Sequence, residues 1–207
     1  MTREFGDPDL VEMFESLGFR AFERVTEGRI DPQHPETSAW IDDILASVDS
    51  RLSIQSINEQ TWVSDLEVAR LFDETFQNAL AWVPAAAHSD AEAIDFFLGK
   101  HFPTLSAFVD KKLVGAITLG EPYESPSNED PGAYLHWLAG EKNSNLSTDE
   151  LTDVLIARAL DMARQQGLDV HVEAPDIFPC LHEGVWRIPG ANLEHGLTIL
   201  INDRHED

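Results

Sequence analysis

Apolar and polar residues recur along this chain in patterns that predict a mixture of strands and helices. The stretch from Gly132 to Pro175 shows this most clearly. Residues 132–139 are short, apolar and rich in aromatics, which suits a buried strand. Residues 148–167 carry apolar side chains at helical spacing and end in a glycine, which predicts a helix with a glycine C-cap. Residues 168–174 alternate as a strand does.

The rest of the chain shows the same two periodicities. Helical spacing predicts helices at residues 8–19, 38–52, 64–83 and 91–102, and a weak helix at 175–185. Alternation predicts strands at residues 52–57, 104–110, 112–121 and 197–202, and a strand or an irregular extension at 21–30.

Local turn and cap residues support several of these elements. Ser38 is a predicted N-cap, and Ser64 with Glu67 three residues on forms a predicted capping box. Ser147 and Glu150 repeat that spacing at the start of the long helix. The three residues Asp110 to Lys112 join two strands and predict a β-hairpin.

The order of these elements predicts the fold class. From Leu52 the order is β, α, α, β, β, β, α, β, a weak α and β, and the run of strands argues against a simple doubly wound sheet. We therefore predict an α/β fold with a mixed, mostly antiparallel central sheet and helices on both faces. Residues 1–50 are predicted to form a helical N-terminal extension, and residues 51–207 the main domain.

Composition narrows the classes of function. Apolar residues make up 43% of 207 residues, which is enough for a core, and no apolar run approaches the roughly 18–20 residues that cross a bilayer. The first ten residues lack the basic and apolar regions of a secretory signal, so we expect a cytoplasmic protein without a membrane partner. One cysteine, Cys180, excludes an internal disulfide framework and a cysteine-based zinc site.

Charge argues against nucleic-acid binding. The chain holds 14 Lys and Arg against 38 Asp and Glu, a formal net charge of −24, and shows no basic cluster. Such a chain repels phosphate backbones. The acidity also leaves open a salt-rich cytoplasm, a cationic partner or a contribution to solubility alone.

From Leu52 to about Asn202 the order of elements resembles the acyl-CoA N-acyltransferase superfamily, usually called GNAT. Residues 52–57 resemble its first strand, and AFVDKKLVGAITLG resembles its hairpin. GAYLHWLA resembles the fourth strand. The helix from Thr148 and DVHVEA resemble the cofactor helix and the fifth strand, and LHEGVWRIPG is a poor version of the element "lYeklGFr". The resemblance implies the GNAT-like fold and transfer of an acyl group from acyl-CoA to an amine.

The resemblance also implies a cofactor loop, and here the sequence departs from the family pattern. In the family, Q/R-x-x-G-x-G/A opens the main helix and cradles the pyrophosphate of CoA. By spacing, that loop falls on STDELT, so glycines are replaced by Glu150 and Thr152, and carboxylates stand where phosphates belong. The cofactor-binding residues that the resemblance implies are Leu138, Ala139, Ser147, Thr148, Asp149, Glu150, Leu151 and Thr152.

The resemblance points to four candidate catalytic residues. Glu121 or His136 would take a proton from the attacking amine, and burial of His136 would lower its pKa and favour a neutral base. Cys180 falls near the family tyrosine that protonates the departing thiolate, and Tyr134 is a substitute. The alternatives are a hydrogen-bonded core histidine, a solvated strand end and a small buried cysteine.

Two further patterns have more than one interpretation. Residues 13–25 resemble "lYeklGFr" better than the C-terminal copy does, so they are a remnant of an upstream acyltransferase domain or an ordinary amphipathic helix ending at Gly18. His171 and Glu173 share one face of a strand, with His182 nearby. A metal site needs three convergent ligands, and the spacing supports none, so no metal is expected.

Two hypotheses about function follow. The first is a divergent N-acyltransferase that uses acetyl-CoA or another acyl-CoA and acylates a small-molecule or peptide amine, with an acidic groove suited to a cationic acceptor. The second is a non-catalytic binding or assembly module that kept the fold, lost CoA binding and acts as a homodimer. The family resemblance favours the first, and the acidic STDELT loop favours the second.

Overall fold

The chain folds around one eight-stranded sheet. The computed structural model describes residues 3–5, 13–14, 16–17, 19–56, 64–76, 90–98, 101–123, 132–140, 147–176 and 179–202. The strands are β1 (Arg3–Phe5), β2 (Phe19–Ile30), β3 (Leu52–Ser56), β4 (His101–Val109), β5 (Lys112–Tyr123), β6 (Gly132–Gly140), β7 (Asp169–Pro175) and β8 (Asn192–Asn202). The helices are α1 (Pro35–Ala46), α2 (Asp65–Phe76), α3 (Asp90–Leu98), α4 (Thr148–Gln166) and α5 (Pro179–Trp186).

The strand order is β1-β8-β2-β7-β6-β5-β4-β3, and each neighbouring pair is antiparallel except β6 and β7. The two parallel strands are joined through α4, the kind of crossover that parallel pairing requires. This architecture confirms the predicted fold class, a mixed and mostly antiparallel sheet with helices.

The parallel pair opens part of the way along. Register pairs join β6 to β7 from Gly132 opposite Asp169 to Leu135 opposite Val172, and stop there. β6 nevertheless continues to Gly140, while the later part of β7 pairs with β2 on its other side. The two strands therefore diverge beyond these pairs.

Helices cover both faces of the sheet. On one face the fully buried Leu155, Ile156 and Leu160 of α4 pack against apolar residues of β5, β6 and β7. On the other face Phe72 of α2 and Phe97 of α3 stack with ring centroids 5.6 Å apart over the small residues of β5 and β6. The small side chains let those helices lie close to the sheet.

Local sequence signals explain where several elements begin and end. The Ser147 side chain accepts a hydrogen bond from the Glu150 amide, and Gly167 adopts the left-handed conformation, with φ 69°, that suits a glycine C-cap. Ser64 and Glu67 form the predicted capping box. Ser38 does not cap α1. That helix begins at Pro35 after His34, because proline at the first helical position has the required φ and needs no hydrogen-bond partner.

The hairpin between β4 and β5 has the predicted position. Val109 lies opposite Lys112, so the loop itself has two residues, Asp110 and Lys111. Both have positive φ, 52° and 66°, as a type I′ turn requires. The predicted helix at 91–102 is wrong at its end, since residues 101 and 102 belong to β4.

The segment before residue 31 contributes strands to the sheet. β2 lies between β7 and β8 and pairs with both, and β1 pairs with the outer side of β8. Residues 21–30 therefore form a strand, one of the two forms predicted. Most of the predicted helix at 8–19 lies outside the described residues. The division at residue 50 and the two interpretations of residues 13–25 stay predictions.

Among the described residues, no helix is both long and apolar enough to cross a bilayer.

Candidate functional site

A cavity of about 370 Å³ lies beside the place where β6 and β7 diverge, and its walls come from β2, β6, β7 and β8. The strand register places its polar side chains in two rows. In one row Arg29 lies opposite both Asn192 and His171, and His171 lies opposite Tyr134. Two residues along each strand, in the second row, Glu27 lies opposite both Glu194 and Glu173.

Three aromatic rings form a continuous group, and two of them, those of Tyr134 and His171, belong to the first row. The Tyr134 ring lies 5.5 Å from the His171 ring and 5.6 Å from the His136 ring, measured between centroids. Two glycines leave space for the imidazoles. A β-carbon at Gly132 would come within 2.4 Å of His171 Cδ2, and one at Gly120 within 2.3 Å of His136 Cδ2. The glycines thus let both imidazoles lie against the backbone of a neighbouring strand.

His136 is exposed, which corrects the expectation that it is buried. His136 follows the core residue Leu135, so ordinary alternation places it on the opposite face of β6, beside Tyr134. The pairing of β5 with β6 is irregular just after it. Ile117 lies opposite Leu138 but Leu119 lies opposite Leu135, so β6 has one residue more than β5 between these pairs. Such a bulge shifts the alternation of side chains. The apolar run GAYLHWLA therefore has two apolar faces with a bulge between them.

His171 is the best-supported proton acceptor in the cavity. It is half-buried, and its neighbours include the ion pair between Arg29 and Asp169. Burial lowers the pKa of His171 below its ordinary value, the charge of Arg29 lowers this pKa further, and Asp169 partly opposes both effects. The imidazole is therefore neutral at pH 7, the form that accepts a proton.

The structure brings together some of the sequence-predicted catalytic residues and separates others. Tyr134 lines the cavity and His136 lies beside it. Glu121 belongs to β5, and its side chain lies outside the part of the structure that is described. Cys180 lies in α5 and packs against the core on the α4 face of the sheet, away from the ring group. Burial, and then nearby Glu183, raise the pKa of the Cys180 thiol.

In the predicted cofactor loop, the side chains make contacts within the protein itself. Ser147 uses its hydroxyl to cap the helix, 3.1 Å from the Glu150 nitrogen. Arg187 lies between two acids at the start of α4, with Nη2 2.6 Å from Asp153 and Nη1 3.3 Å from Asp149. Thr148, Asp149 and Glu150 are exposed. The loop therefore presents carboxylates at the positively polarised end of a helix, where a phosphate would bind.

The remaining predicted cofactor residues are buried. Leu151 and Thr152 are 2% and 3% exposed. Thr152 hydrogen-bonds Cys180 and lies so close to α5 that a β-carbon at Gly184 would come within 2.7 Å of its methyl group. Leu138 and Ala139 belong to the two cores on opposite faces of the sheet. Together these residues do not fit the pyrophosphate of CoA.

No group of three His, Cys, Asp or Glu side chains able to hold a metal ion occurs in the described part of the chain. His171 and Glu173 do share one face of β7, as the alternation predicts, and both line the cavity.

Sequence reasoning missed the residues that the N-terminal strand brings to the cavity. Glu27 and Arg29 alternate in β2 just as His171 and Glu173 alternate in β7, and this was the available signal. The signal did not indicate that β2 and β7 are neighbours.

Among known proteins, the similarity found for this chain is to solved structures. No family in a scan of family descriptions and no curated protein matches this chain. A conserved protein of unknown function from Staphylococcus epidermidis is 16% identical with a TM-score of 0.54, over 98% of this chain and 70% of the other.

Two further structures show lower scores. A GCN5-related N-acetyltransferase-like protein from Streptococcus suis is 13% identical with a TM-score of 0.49, over 93% of this chain and 67% of the other. An aminoglycoside acetyltransferase from an uncultured soil sample is 19% identical with a TM-score of 0.44, over 62% and 80%. At such identities a likeness concerns the fold alone.

Proposed function

We propose that this chain, which has the acyl-CoA N-acyltransferase fold, transfers an acyl group from a thioester to an amine bound in the cavity. The observation that supports this is the position of neutral His171 beside Tyr134, next to the divergence of β6 and β7. An amine is protonated at neutral pH and must lose a proton before it attacks a carbonyl. A neutral imidazole in the cavity supplies the base for that step.

Each bond and each proton of the proposed acyl transfer is accounted for. The amine nitrogen forms a bond to the acyl carbon, the bond between that carbon and sulfur breaks, and the proton of the amine goes to His171. The departing thiolate takes a proton from solvent water, because Cys180, the donor that the sequence predicts, lies in α5 on the other face of the sheet. In this scheme Tyr134 orients the imidazole through ring contact.

The proposed donor is a thioester that is not held by its pyrophosphate. Asp149 and Glu150 stand where that group would bind, and two unit charges about 4 Å apart repel by roughly 1–4 kcal/mol. Acetyl-pantetheine, which lacks the nucleotide and the pyrophosphate, should therefore serve nearly as well as acetyl-CoA. This outcome would be unusual for an enzyme that gains affinity from the nucleotide half of CoA.

The test measures thiol release from both thioesters in the presence of butane-1,4-diamine, for the wild type and three variants. His171→Gln should lower turnover by about 10²–10⁴-fold and Tyr134→Phe by less, because general-base catalysis contributes on that order. His34→Gln, at an exposed position before α1, is the matched control and should match the wild type.

Absence of amine-dependent thiol release, together with no heat in a calorimetric titration with millimolar acetyl-CoA, would overturn the proposal. That result would favour the alternative of a non-catalytic module, for which the acidic residues at the start of α4 are the supporting observation.

A further inference from the structure

We propose that Arg29 is a positioning residue for His171, and that it acts by binding Asp169 and so keeping this carboxylate from hydrogen-bonding the imidazole. Arg29 Nε and Nη2 both contact the same oxygen of Asp169, in an ion pair that lies beside His171. This inference rests on the proposed function, in which His171 is the base, and concerns the pH range over which that base works.

Asp169 and His171 leave β7 on the same face, with the imidazole turned toward the carboxylate. The two residues are about 6.5–7 Å apart along the strand, and Val170 between them belongs to the core on the opposite face. His171 pairs with Tyr134 in β6, but its imidazole lies against Gly132. Because Gly132 is the residue that pairs with Asp169, the ring leans along β7 toward this carboxylate.

Arg29 holds the carboxylate from the neighbouring strand. It lies opposite His171 in β2, and its guanidinium extends diagonally to Asp169. A guanidinium is permanently charged and offers several N–H groups, whereas a neutral imidazole offers one, so the carboxylate bonds Arg29 in preference. Within the described part of the chain, Asp169 accordingly acts on His171 as a nearby charge and forms no hydrogen bond with it.

This arrangement extends the activity of the base to lower pH. A hydrogen bond from the protonated imidazole to a carboxylate would favour the charged form and raise the pKa of His171. While Arg29 holds Asp169, burial and the charge of Arg29 keep this pKa below the ordinary histidine value. Loss of the ion pair should therefore leave more of the imidazole protonated at a given pH.

The other titratable groups near His171 do not take the place of Asp169. From β6 the imidazole meets the ring of Tyr134, and His136 lies beyond that ring. The remaining carboxylates that line the cavity lie in the second row, away from which the imidazole leans, and these are Glu27, Glu173 and Glu194.

Titration of the imidazole by NMR tests the proposal directly. The protein has 8 histidines, and comparison with His171→Gln identifies the signal of interest. Arg29→Gln should raise the pKa of His171 and produce a downfield imidazole N–H proton signal, because the released carboxylate accepts that N–H. Arg29→Lys should recover most of the wild-type titration, because an ammonium also pairs with Asp169.

A double variant separates the hydrogen bond from the charge of Arg29. Arg29 takes part in a further interaction besides this ion pair, so its substitution alone does not isolate Asp169. In an Asp169→Asn background, Arg29→Gln should raise the pKa of His171 by less than about half as much and give no downfield signal. Arg70→Gln removes an equal charge from the exposed ion pair with Asp90, and should leave the titration of His171 unchanged.

The pH profile of thiol release provides a second readout. Between pH 8.5 and pH 6, turnover by Arg29→Gln should fall by about threefold to tenfold more than turnover by the wild type, because more of its base is protonated. Arg29→Lys should follow the wild-type profile more closely. Loss of structural support alone would lower turnover equally at both pH values.

An equal rise in the pKa of His171 with and without Asp169→Asn, or no rise in Arg29→Gln, would overturn the inference. A downfield N–H signal in the wild type that is lost in both His171→Gln and Asp169→Asn would also overturn it, and this comparison needs no change at Arg29. If the titrations change as expected but the wild type releases no thiol, the proposed acyl transfer fails and the positioning inference stands. If thiol release depends on His171 but the titrations do not change, the reverse holds.

Discussion

The imidazole of His171 lies over the α-carbon of Gly132, so a β-carbon at that glycine would come within 2.4 Å of Cδ2 and 2.7 Å of Nε2. Gly132→Ala should therefore displace the ring and destabilise the protein by about 1–3 kcal/mol, the usual cost of overpacking. Urea unfolding would measure the free-energy change. The double variant with His171→Ala should recover most of the loss, because the ring is what the methyl group meets. Additive effects in this cycle would show that strain in the backbone, and not the ring, is responsible.

His171 should also make stability depend on pH. Its pKa is lower in the folded protein than in the unfolded chain, so the unfolded chain binds more protons as pH falls below the ordinary histidine value. Stability should therefore decrease from pH 7.5 to pH 5.5, and His171→Gln should reduce that decrease. Arg29→Gln should reduce it as well, because it removes a charge that lowers the pKa and leaves Asp169. Urea unfolding at the two pH values tests this. A steeper loss in either variant would contradict it.

Removing the carboxylates from the start of α4 should improve binding of acetyl-CoA. Asp149→Asn with Glu150→Gln leaves the helix cap on Ser147 in place and removes two negative charges from the predicted phosphate position. Affinity should rise by about tenfold or more, since each 1.4 kcal/mol of removed repulsion is a factor of ten. Glu36→Gln with Asp43→Asn in α1 is the control for net charge. If the affinity for acetyl-CoA is unchanged in the Asp149 and Glu150 double variant as it is in the control, burial of Thr152 and not charge prevents the cofactor from binding.

Arg164 makes contacts with both α1 and α4, so its substitution should lower the free energy of unfolding. Its Nη2 lies 2.7 Å from Asp161 and 2.8 Å from Asp42, and its Nη1 lies 2.8 Å from the Ser38 hydroxyl. The Asp161 side chain is 9% exposed, so Arg164→Met leaves a nearly buried carboxylate with weaker partners. We expect a loss of about 1–3 kcal/mol in chemical unfolding.

The ion pair of Arg70 with Asp90 provides the comparison. Both side chains are more than half exposed, so Arg70→Met should cost less than about 1 kcal/mol. Equal losses for the two variants would show that burial of Asp161 does not set the energy.

Removal of residues 1–31 should prevent folding. β2 pairs with both β7 and β8, so its loss leaves two unpaired edges in the middle of the sheet. The truncated chain should lack a cooperative thermal transition by circular dichroism. A synthetic peptide of residues 1–31 added to it should restore that transition. A truncated chain that melts cooperatively alone would show that the other strands close the gap.

The features that could be predicted from sequence are those set by neighbours in the chain. The cap on Ser147, the glycine end at Gly167 and the hairpin at Asp110 to Lys112 each depend on a few adjacent residues, and all three are confirmed, although Lys112 itself belongs to β5. The order of elements after Leu52 was enough to predict the fold class, because hairpins and crossovers restrict how consecutive strands pair.

The features that could not be predicted depend on distant parts of the chain. Glu27 meets Glu173 across 146 positions of sequence, and no local pattern records that pairing. His136 stands in an apolar run that is typical of a buried strand, but it lies on the face of β6 opposite the core residue Leu135 and is exposed there. The cavity depends on the pairing of β2 with β7, so the sequence indicated its chemistry only through the separate alternating pairs in those two strands.

The central place of β2 has a consequence for how the protein is made. A ribosome synthesises β2 before its two neighbours, β7 and β8, so the nascent chain carries β2 without those neighbours while residues 31–168 are made. Folds dominated by such long-range pairings reach the native state slowly, in milliseconds to seconds. The cavity accordingly forms as one of the last steps in the biogenesis of the protein, and a chain stalled before residue 192 has no complete binding site.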